Sequence, residues 1–218
     1  MNRPRYIVVE GPIGVGKTSL VNALAARYRA RTVFEIVEEN PFLSSFYDDR
    51  EKYAFQTQLF FLLSRYKQQQ DIFQPDLLQP VTVSDYLFAK DKIFAQLTLS
   101  SHELALYERV YDALAPRVLK PDLVIYLQAR QDVLLGRIKK RGREFERQFD
   151  PGYLEQVSRS YNDYFGHYSD TPLLILNTSD FDYVGNAADL EHVVDLIENH
   201  TQGVKHLTLA SAASGGKT

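Results

Sequence analysis

What constrains this chain most is a glycine-rich segment near its start, Gly11-Pro12-Ile13-Gly14-Val15-Gly16-Lys17-Thr18. The segment matches the pattern G-x-x-x-x-G-K-[ST], a phosphate-binding loop that connects a β-strand to the helix after it. An apolar run over residues 6–10 precedes the segment, and apolar residues recur at helical spacing after Lys17. The sequence therefore predicts a strand, a phosphate loop and a helix, in that order, at the start of an α/β domain.

The residue types in this segment are those that binding a triphosphate requires. Glycines let backbone N–H groups curl around phosphate oxygens, and the N-terminus of the following helix adds a positive dipole. Lys17 brings a mobile positive charge to the β- and γ-phosphates, and the Thr18 hydroxyl can ligate Mg²⁺. We therefore expect residues 11–18 to bind a nucleoside triphosphate with its Mg²⁺ ion.

Apolar runs and helical patterns alternate along the rest of the chain. Five short runs that are apolar on nearly every residue cover residues 6–10, 32–37, 81–85, 123–127 and 173–177. Helical patterns follow Lys17 and cover residues 53–70, 102–114, 132–140, 153–165 and 189–200. This alternation predicts a P-loop NTPase-type α/β fold, with a five-stranded parallel sheet and helices on both faces. From residue 203 the composition turns small and polar, so we expect one domain over residues 1–202 and a disordered tail over 203–218.

Size and charge exclude several classes of protein. With 218 residues, of which 44% are hydrophobic, the chain suits one domain with a sizeable core. Its formal net charge of −3 gives no global positive field, so we expect neither nucleic acid nor a membrane as a partner. No apolar run is long enough for a signal peptide or a membrane span, and the chain has no cysteine. We therefore expect a soluble, cytoplasmic protein.

A phosphate loop serves GTPases, motor ATPases and kinases alike, so other residues must decide the chemistry. The Asn/Thr-Lys-x-Asp element that reads guanine is absent, and no Asp-x-x-Gly switch follows an early strand. A small-molecule kinase needs a carboxylate for the metal, another for the acceptor hydroxyl, and cations for the transferred phosphoryl group. The sequence offers candidates for all three and so favours a kinase that uses ATP and Mg²⁺.

The two carboxylate candidates lie in early apolar runs. Asp85 ends its run, which places it at the carboxyl edge of the sheet, where ligands bind, although turn and cap residues have the same pattern. Glu35 lies between Phe34 and Ile36, which suggests a polar cleft, although a charge on an edge strand would look alike. We assign Asp85 and Thr18 to the metal, and we count Lys17, Glu35 and Asp85 as catalytic.

The densest basic segment contains Arg137, Arg141 and Arg143. Positions 137 and 141 share a helix face, and Gly142 should end that helix before Arg143. Arginines on a lid over ATP would neutralise charge that develops during transfer, so we predict a lid over residues 137–147, with all three arginines catalytic. Arg137 and Arg141 would also bind ATP. The alternative is a solvated basic helix face.

In this order and spacing, the motifs resemble the deoxynucleoside kinase family, specifically its bacterial deoxyadenosine/deoxyguanosine kinase branch, over about residues 6–153. The resemblance implies a homodimer that transfers the γ-phosphoryl group of ATP to the 5′-hydroxyl of a deoxyribonucleoside, with purines favoured. Glu35 of the Glu35-Ile36-Val37 element would be the general base. The helices near residues 53–70 and 102–114 are the expected contact surfaces of the dimer.

The same resemblance implies a nucleoside pocket. Gln58 would read the nucleobase, with Arg65 and Asp91 paired beneath it. Tyr47 and Glu146 would hold the sugar 3′-hydroxyl, and Glu146 also completes the lid pattern Arg-x-x-x-Arg-x-Arg-x-x-Glu.

One position departs from the family's pattern. The family often has an arginine after the acid of the third strand, whereas Tyr86 follows Asp85 here. The positive charge must then come from elsewhere, or the contacts to the phosphoryl group are weaker. Two rival functions stay open: a nucleoside monophosphate kinase of the thymidylate kinase type, which needs a cation for the acceptor's phosphate, and a non-catalytic nucleotide-binding module.

Overall fold

The computed structural model describes residues 4–72, 81–143 and 150–211, which form one parallel sheet surrounded by helices. The strands are β1 (Tyr6–Glu10), β2 (Arg31–Val33), β3 (Thr82–Ser84), β4 (Leu123–Gln128), β5 (Leu173–Asp180) and β6 (Val204–Ala210). The helices are α1 (Lys17–Tyr28), α2 (Leu43–Asp48), α3 (Arg50–Ile72), α4 (Lys90–Thr98), α5 (Ser101–Leu114), α6 (Gln131–Arg141), α7 (Pro151–Gly166) and α8 (Ala187–Asn199). The strand order is β2-β3-β1-β4-β5-β6, and every neighbouring pair is parallel.

Alternate residues of β1 pack on opposite faces of the sheet. Ile7 and Val9 belong to a hydrophobic cluster that includes residues of α1, α6 and α8. Tyr6 and Val8 belong to a second cluster, with residues of α2, α3, α4 and α7. Every residue of β1 is buried, as expected of a strand covered on both sides. The predicted α/β fold with helices on both faces is confirmed.

The sheet has six strands where the sequence predicted five, and the sixth lies in the segment predicted to be a disordered tail. β6 pairs with β5, from Leu173 opposite Val204 onward. The prediction of disorder was therefore wrong for residues 204–210, whereas residues 212–218 lie outside the described ranges. Only Leu209 of this edge strand is buried. Backbone hydrogen bonds hold β6 more than buried side chains do, so its sequence carries little apolar signal.

The predicted helices are confirmed as α1, α3, α5, α6, α7 and α8, but α2 and α4 were not predicted. α4 buries Lys90 and Asp91 beside Ile93 and Ala95, so charged residues interrupt the apolar pattern on its inward side. β2 ends at Val33, earlier than the predicted run over 32–37. Glu35 therefore lies in the segment after this strand, rather than within it.

The strand order brings three functional segments to one edge of the sheet. The phosphate loop follows β1, the segment with Glu35 follows β2, and Asp85 follows β3. Because these strands are parallel neighbours, their carboxyl ends meet in the crevice where ligands of open α/β sheets bind. In the described ranges, no helix combines the length and the apolar content needed to span a membrane.

Candidate active site

The phosphate loop has the backbone that its glycines were expected to allow. Gly16 precedes α1 with φ 108°, a conformation that L side chains rarely adopt. A Cβ atom at Gly16 would also collide with the hydroxyl of Tyr183, which donates to the Gly16 carbonyl at 3.1 Å. Lys17 Nζ donates to the Gly11 carbonyl at 2.7 Å, and burial lowers the pKa of this ammonium group. The backbone of the loop therefore has the shape of a phosphate-binding site, and the Lys17 side chain lies beside it.

Glu10, the last residue of β1, fixes the start of the loop. Its Oε2 accepts hydrogen bonds from the Gly11 N–H at 2.7 Å and the Tyr161 hydroxyl at 3.0 Å, and its Oε1 accepts from the Leu87 N–H at 3.0 Å. The side chain is fully buried, so these donors replace its hydration. Glu10 thus links the phosphate loop to the chain after β3 and to α7. Glu10 could have been noticed as an acid directly before the glycine-rich segment, but its role could not be assigned from the sequence.

Asp85 connects the phosphate loop to the segment with Glu35. Its Oδ2 accepts from the Thr18 hydroxyl at 3.0 Å, and its Oδ1 accepts from the Glu35 backbone N–H at 2.8 Å. Burial, and then the negative charge of Glu35, raise the pKa of the Asp85 carboxyl above its ordinary value. A hydroxyl and a carboxylate that converge beside a phosphate loop are the oxygen ligands Mg²⁺ takes, together with water and phosphate oxygens. Thr18 and Asp85 therefore fit the predicted metal.

The Glu35 carboxylate is held between two cations. Arg65 Nη2 donates to one oxygen, and Lys90 Nζ donates to the other at 2.7 Å. Arg65 also forms an ion pair with Asp91, as the family resemblance implied. Burial alone would raise the pKa of Glu35, but the charges of Arg65 and Lys90 outweigh it and hold this pKa well below its ordinary value. Glu35 is therefore an ionised acceptor in a fixed orientation.

Three backbone contacts fix the segment that carries Glu35. Gln68 Nε2 donates to the Phe34 carbonyl at 2.8 Å, and Asn40 Nδ2 donates to the Thr57 carbonyl at 3.2 Å. The third contact is the hydrogen bond from the Glu35 N–H to Asp85. Two of the three partners belong to α3, so this helix both lines the pocket and positions the segment after β2. Sequence reasoning assigned no role to Gln68 or Asn40.

One cavity of about 1030 Å³ is lined both by the phosphate loop and by the residues around Glu35. The phosphate loop lines one part of it, and Phe181, Tyr183 and Val184 lie beside the loop. The predicted site residues that line it are Ile13, Gly14, Gly16, Lys17, Thr18, Glu35, Tyr47, Gln58, Arg65, Asp85, Arg137, Arg141 and Arg143. Asp91 lies directly behind Arg65, and Glu146 lies outside the described residues.

The three predicted lid arginines all border this cavity. Arg137 Nη1 donates to the Val15 carbonyl at 2.8 Å, so α6 contacts the phosphate loop. Gly142 follows α6 with φ 69°, which confirms the predicted helix end before Arg143. Arg143 pairs with Glu38 at 2.8 Å. The remainder of the predicted lid, residues 144–149, lies outside the described residues.

Lys90 is the main residue of the pocket that the sequence did not reveal. It is buried, borders the cavity and reaches both Glu35 and, at 3.7 Å, Glu10. A lysine inside the apolar stretch Leu87-Phe88-Ala89-Lys90 was the available signal. The carboxylates that pair with Lys90 cannot be predicted from that stretch.

Comparison with known proteins decides the family. A model described as deoxynucleoside kinase matches residues 7–202, nearly the whole domain. The chain belongs to the deoxynucleoside kinase family. It is 41% identical over 207 residues to a deoxyguanosine kinase of Bacillus subtilis, covering 90% of this chain and all of that relative. It is 34% identical over 199 residues to a deoxyadenosine/deoxycytidine kinase of the same organism, covering 88% and 90% of the two chains.

A solved structure from this family has the same architecture. The deoxyadenosine kinase of M. mycoides, determined with the products dCMP and dCDP, superposes with a TM-score of 0.78 at 25% identity. The match covers 88% of this chain and 98% of that one. The predicted fold and the predicted resemblance are both confirmed, and the chain is a kinase of this family.

Proposed function

We propose that this deoxynucleoside kinase transfers the γ-phosphoryl group of ATP to the 5′-hydroxyl of a deoxyribonucleoside, with a purine as the preferred base. The observation that carries the proposal is the connection from Thr18 through Asp85 to Glu35. Asp85 accepts from the Thr18 hydroxyl and from the Glu35 backbone N–H, so hydrogen bonds join the segment that carries Glu35 to the end of the phosphate loop. Donor and acceptor can therefore meet in line within one cavity.

Different residues around the cavity bind ATP and the deoxyribonucleoside. Backbone N–H groups of the phosphate loop after Pro12 and the ammonium group of Lys17 bind the phosphates of ATP. The arginines of the lid segment neutralise the charge that spreads over the transferred group. Thr18 and Asp85 would hold Mg²⁺, which would supply positive charge to neutralise the phosphates of ATP. Gln58, buried on α3, hydrogen-bonds the nucleobase edge, and Tyr47 approaches the sugar.

Glu35 serves mainly to orient the acceptor hydroxyl. The 5′-oxygen attacks the γ-phosphorus, the bond from that phosphorus to the β,γ-bridging oxygen breaks, and ADP leaves. An alcohol is a poor acid, so its proton passes to the Glu35 carboxylate late in the transfer. The low pKa of Glu35 is consistent with this order, because a strongly held carboxylate directs the hydroxyl before it accepts the proton.

Charge pairing in the pocket favours a nucleoside over a nucleoside monophosphate as the acceptor. A monophosphate acceptor would need, on the acceptor side, a cation that carboxylates do not already neutralise. Arg65 already meets Glu35 and Asp91, and Lys90 meets Glu35 and Glu10. These two cations, facing three carboxylates, have no charge left for an acceptor phosphate.

A panel of acceptors tests this function. The four deoxynucleosides and thymidine monophosphate are each incubated with ATP and Mg²⁺, and the products are separated by anion exchange. We expect 5′-monophosphates from deoxyguanosine and deoxyadenosine, in keeping with the named relatives. Thymidine diphosphate as the main product would replace our proposal with the monophosphate kinase. Nucleotide binding without any product would indicate a non-catalytic module.

We also propose that the enzyme works in the cytoplasm as a homodimer. The absence of cysteine suits a reducing compartment. α3 and α5, the helices expected to form the dimer contact, pack on one another and carry the exposed side chains of Leu63 and Leu106. We propose that a second copy of the chain covers these two side chains.

A further inference from the structure

The cation that usually follows the acid of the third strand is missing from this chain, and its position holds an apolar ring. Tyr86 is fully buried in the second hydrophobic cluster. The centre of its ring lies 6.0 Å from the Arg65 guanidinium carbon. Residue 86 therefore supplies no positive charge to the reacting groups.

Lys90 brings a positive charge to the Glu35 carboxylate from a different position in the chain. Its side chain is 4% exposed, and its ammonium group lies 2.7 Å from Glu35 Oε2. A buried lysine is rare unless it is paired, because desolvation of the charge is costly. This lysine also lies in the first turn of α4, where the helix dipole disfavours a cation. The contact with carboxylates must offset both costs.

Glu10 is the secondary partner of Lys90. The ammonium group lies 3.7 Å from Glu10 Oε1, too far for a hydrogen bond. Glu10 already accepts hydrogen bonds from the Gly11 and Leu87 N–H groups and from the Tyr161 hydroxyl. The Glu35 carboxylate differs, because its two oxygens bind Arg65 and Lys90 respectively. Removal of Lys90 would leave one oxygen of Glu35 free to rotate away.

We propose that Lys90 is a positioning residue for phosphoryl transfer, which fixes the Glu35 carboxylate and replaces the arginine that Tyr86 displaces. This inference rests on the proposed role of Glu35 toward the acceptor hydroxyl. Arg65 anchors one oxygen from α3 and Lys90 anchors the other from α4, so the carboxylate keeps one orientation. Because Glu10 lies at the start of the phosphate loop, Lys90 also relates the acceptor carboxylate to that loop.

The absence of native cysteine permits a chemical test. In the variant Lys90→Cys the only thiol borders the cavity, and 2-bromoethylamine converts it to a side chain with the length and charge of lysine. Iodoacetamide gives a neutral product of similar size, and mass spectrometry measures both modifications. Lys92→Cys, on the same helix but half-exposed and paired with Asp112, is the matched control for the labelling.

We expect Lys90→Cys to lower kcat about 10²-fold, while KM for ATP changes no more than about threefold. Aminoethylation should restore most of kcat, and the neutral label should restore none. In a Glu35→Gln background the same substitution should lower kcat by less than about threefold, because residues that act as a unit are not additive. If Lys90→Cys does not fold, Lys90→Met, which keeps the apolar stem, is measured in both backgrounds.

Several results would overturn the proposal. They are an unchanged kcat without Lys90, equal recovery with the charged and neutral labels, and an additive loss in the Glu35→Gln background. A rise in KM for ATP at constant kcat would also overturn it, since Lys90 would then act on ATP binding. A parallel assay of the wild-type enzyme with deoxyguanosine distinguishes failure of the proposed function from failure of the role proposed for Lys90. If the wild type transfers no phosphoryl group, the proposed function fails, whereas an active wild type confines the failure to Lys90.

Discussion

Replacement of Glu35 by glutamine is the sharpest test of the acceptor side. The carboxylate accepts hydrogen bonds from Arg65 and Lys90, and its pKa is held low by both charges. Glutamine keeps the shape of the side chain and can still accept one hydrogen bond, but its NH₂ group cannot accept the other. Hydrogen bonds to charged groups contribute about 1.5–3 kcal/mol each, so the free energy of unfolding should fall by roughly 2–3 kcal/mol.

This loss leaves the protein folded, because domains of this kind have a stability of about 5–15 kcal/mol. At roughly 2–4 °C per kcal/mol for a chain of this length, the melting temperature should fall by about 4–12 °C. The effect on turnover is larger. A positioned proton acceptor contributes about 10²–10⁴-fold, so we expect kcat to fall about 10³-fold, or roughly 4 kcal/mol. No hydrogen bond of the Glu35 side chain reaches residues 11–18, so Kd for ATP should change by no more than about threefold.

The measurement is a coupled ADP-release assay with saturating deoxyguanosine, accompanied by ATP titration in a calorimeter and thermal melting. Glu39→Gln is the matched control, because Glu39 is exposed and lies outside the cavity. A kcat within about tenfold of wild type would refute the assignment of Glu35 as the base. A variant that loses ATP binding as strongly as turnover would refute the division of the cavity into two halves.

Two further predictions concern the lid and the dimer. Arg141→Ala should lower kcat about 10²-fold but raise KM for ATP only about threefold, as expected of a contact made in the transition state. Lys139→Ala, on an exposed position of α6, is its control, and an unchanged kcat for Arg141→Ala would indicate a solvated basic face. Light scattering should give about twice the chain mass of 25.1 kDa for the wild type and a single chain for Leu63→Glu. A monomeric wild type would contradict the proposed dimer.

The backbone of the phosphate loop was predictable from the sequence, because one continuous segment forms it. Residues 11–18 determine their own backbone, through glycines with positive φ, and need only a strand before them and a helix after them. Asp85 could be placed at the edge of the sheet because it ends an apolar strand. The end of α6 at Gly142 was predictable for the same reason, since a glycine in left-handed conformation is a local signal.

Less of the acceptor pocket could be predicted from the sequence, because polar residues that face inward from α3 and α4 form it. Gln58, Arg65 and Gln69 are buried on α3, where periodicity predicts apolar residues. The family resemblance supplied Gln58 and Arg65, whereas Gln68 and Lys90 emerged only from the fold. Which cation meets which carboxylate depends on how two helices cross above the sheet, and no local pattern encodes that crossing. The edge strand β6 was missed for a different reason, since its stability comes mostly from backbone pairing.

The charges around the cavity explain why the site is built from paired rather than isolated groups. Lys17, Arg65 and Lys90 lie among the carboxylates of Glu10, Glu35, Asp85 and Asp91, and the arginines of the lid segment border the same cavity. Arg65 or Lys90 forms an ion pair with Glu10, Glu35 and Asp91, whereas Asp85 accepts hydrogen bonds from Thr18 and Glu35, and burial and the charge of Glu35 raise its pKa. A divalent cation bound there would remove the like-charge repulsion between Asp85 and Glu35. We therefore expect substitution of Asp85 to weaken both metal binding and the positioning of the segment that carries Glu35.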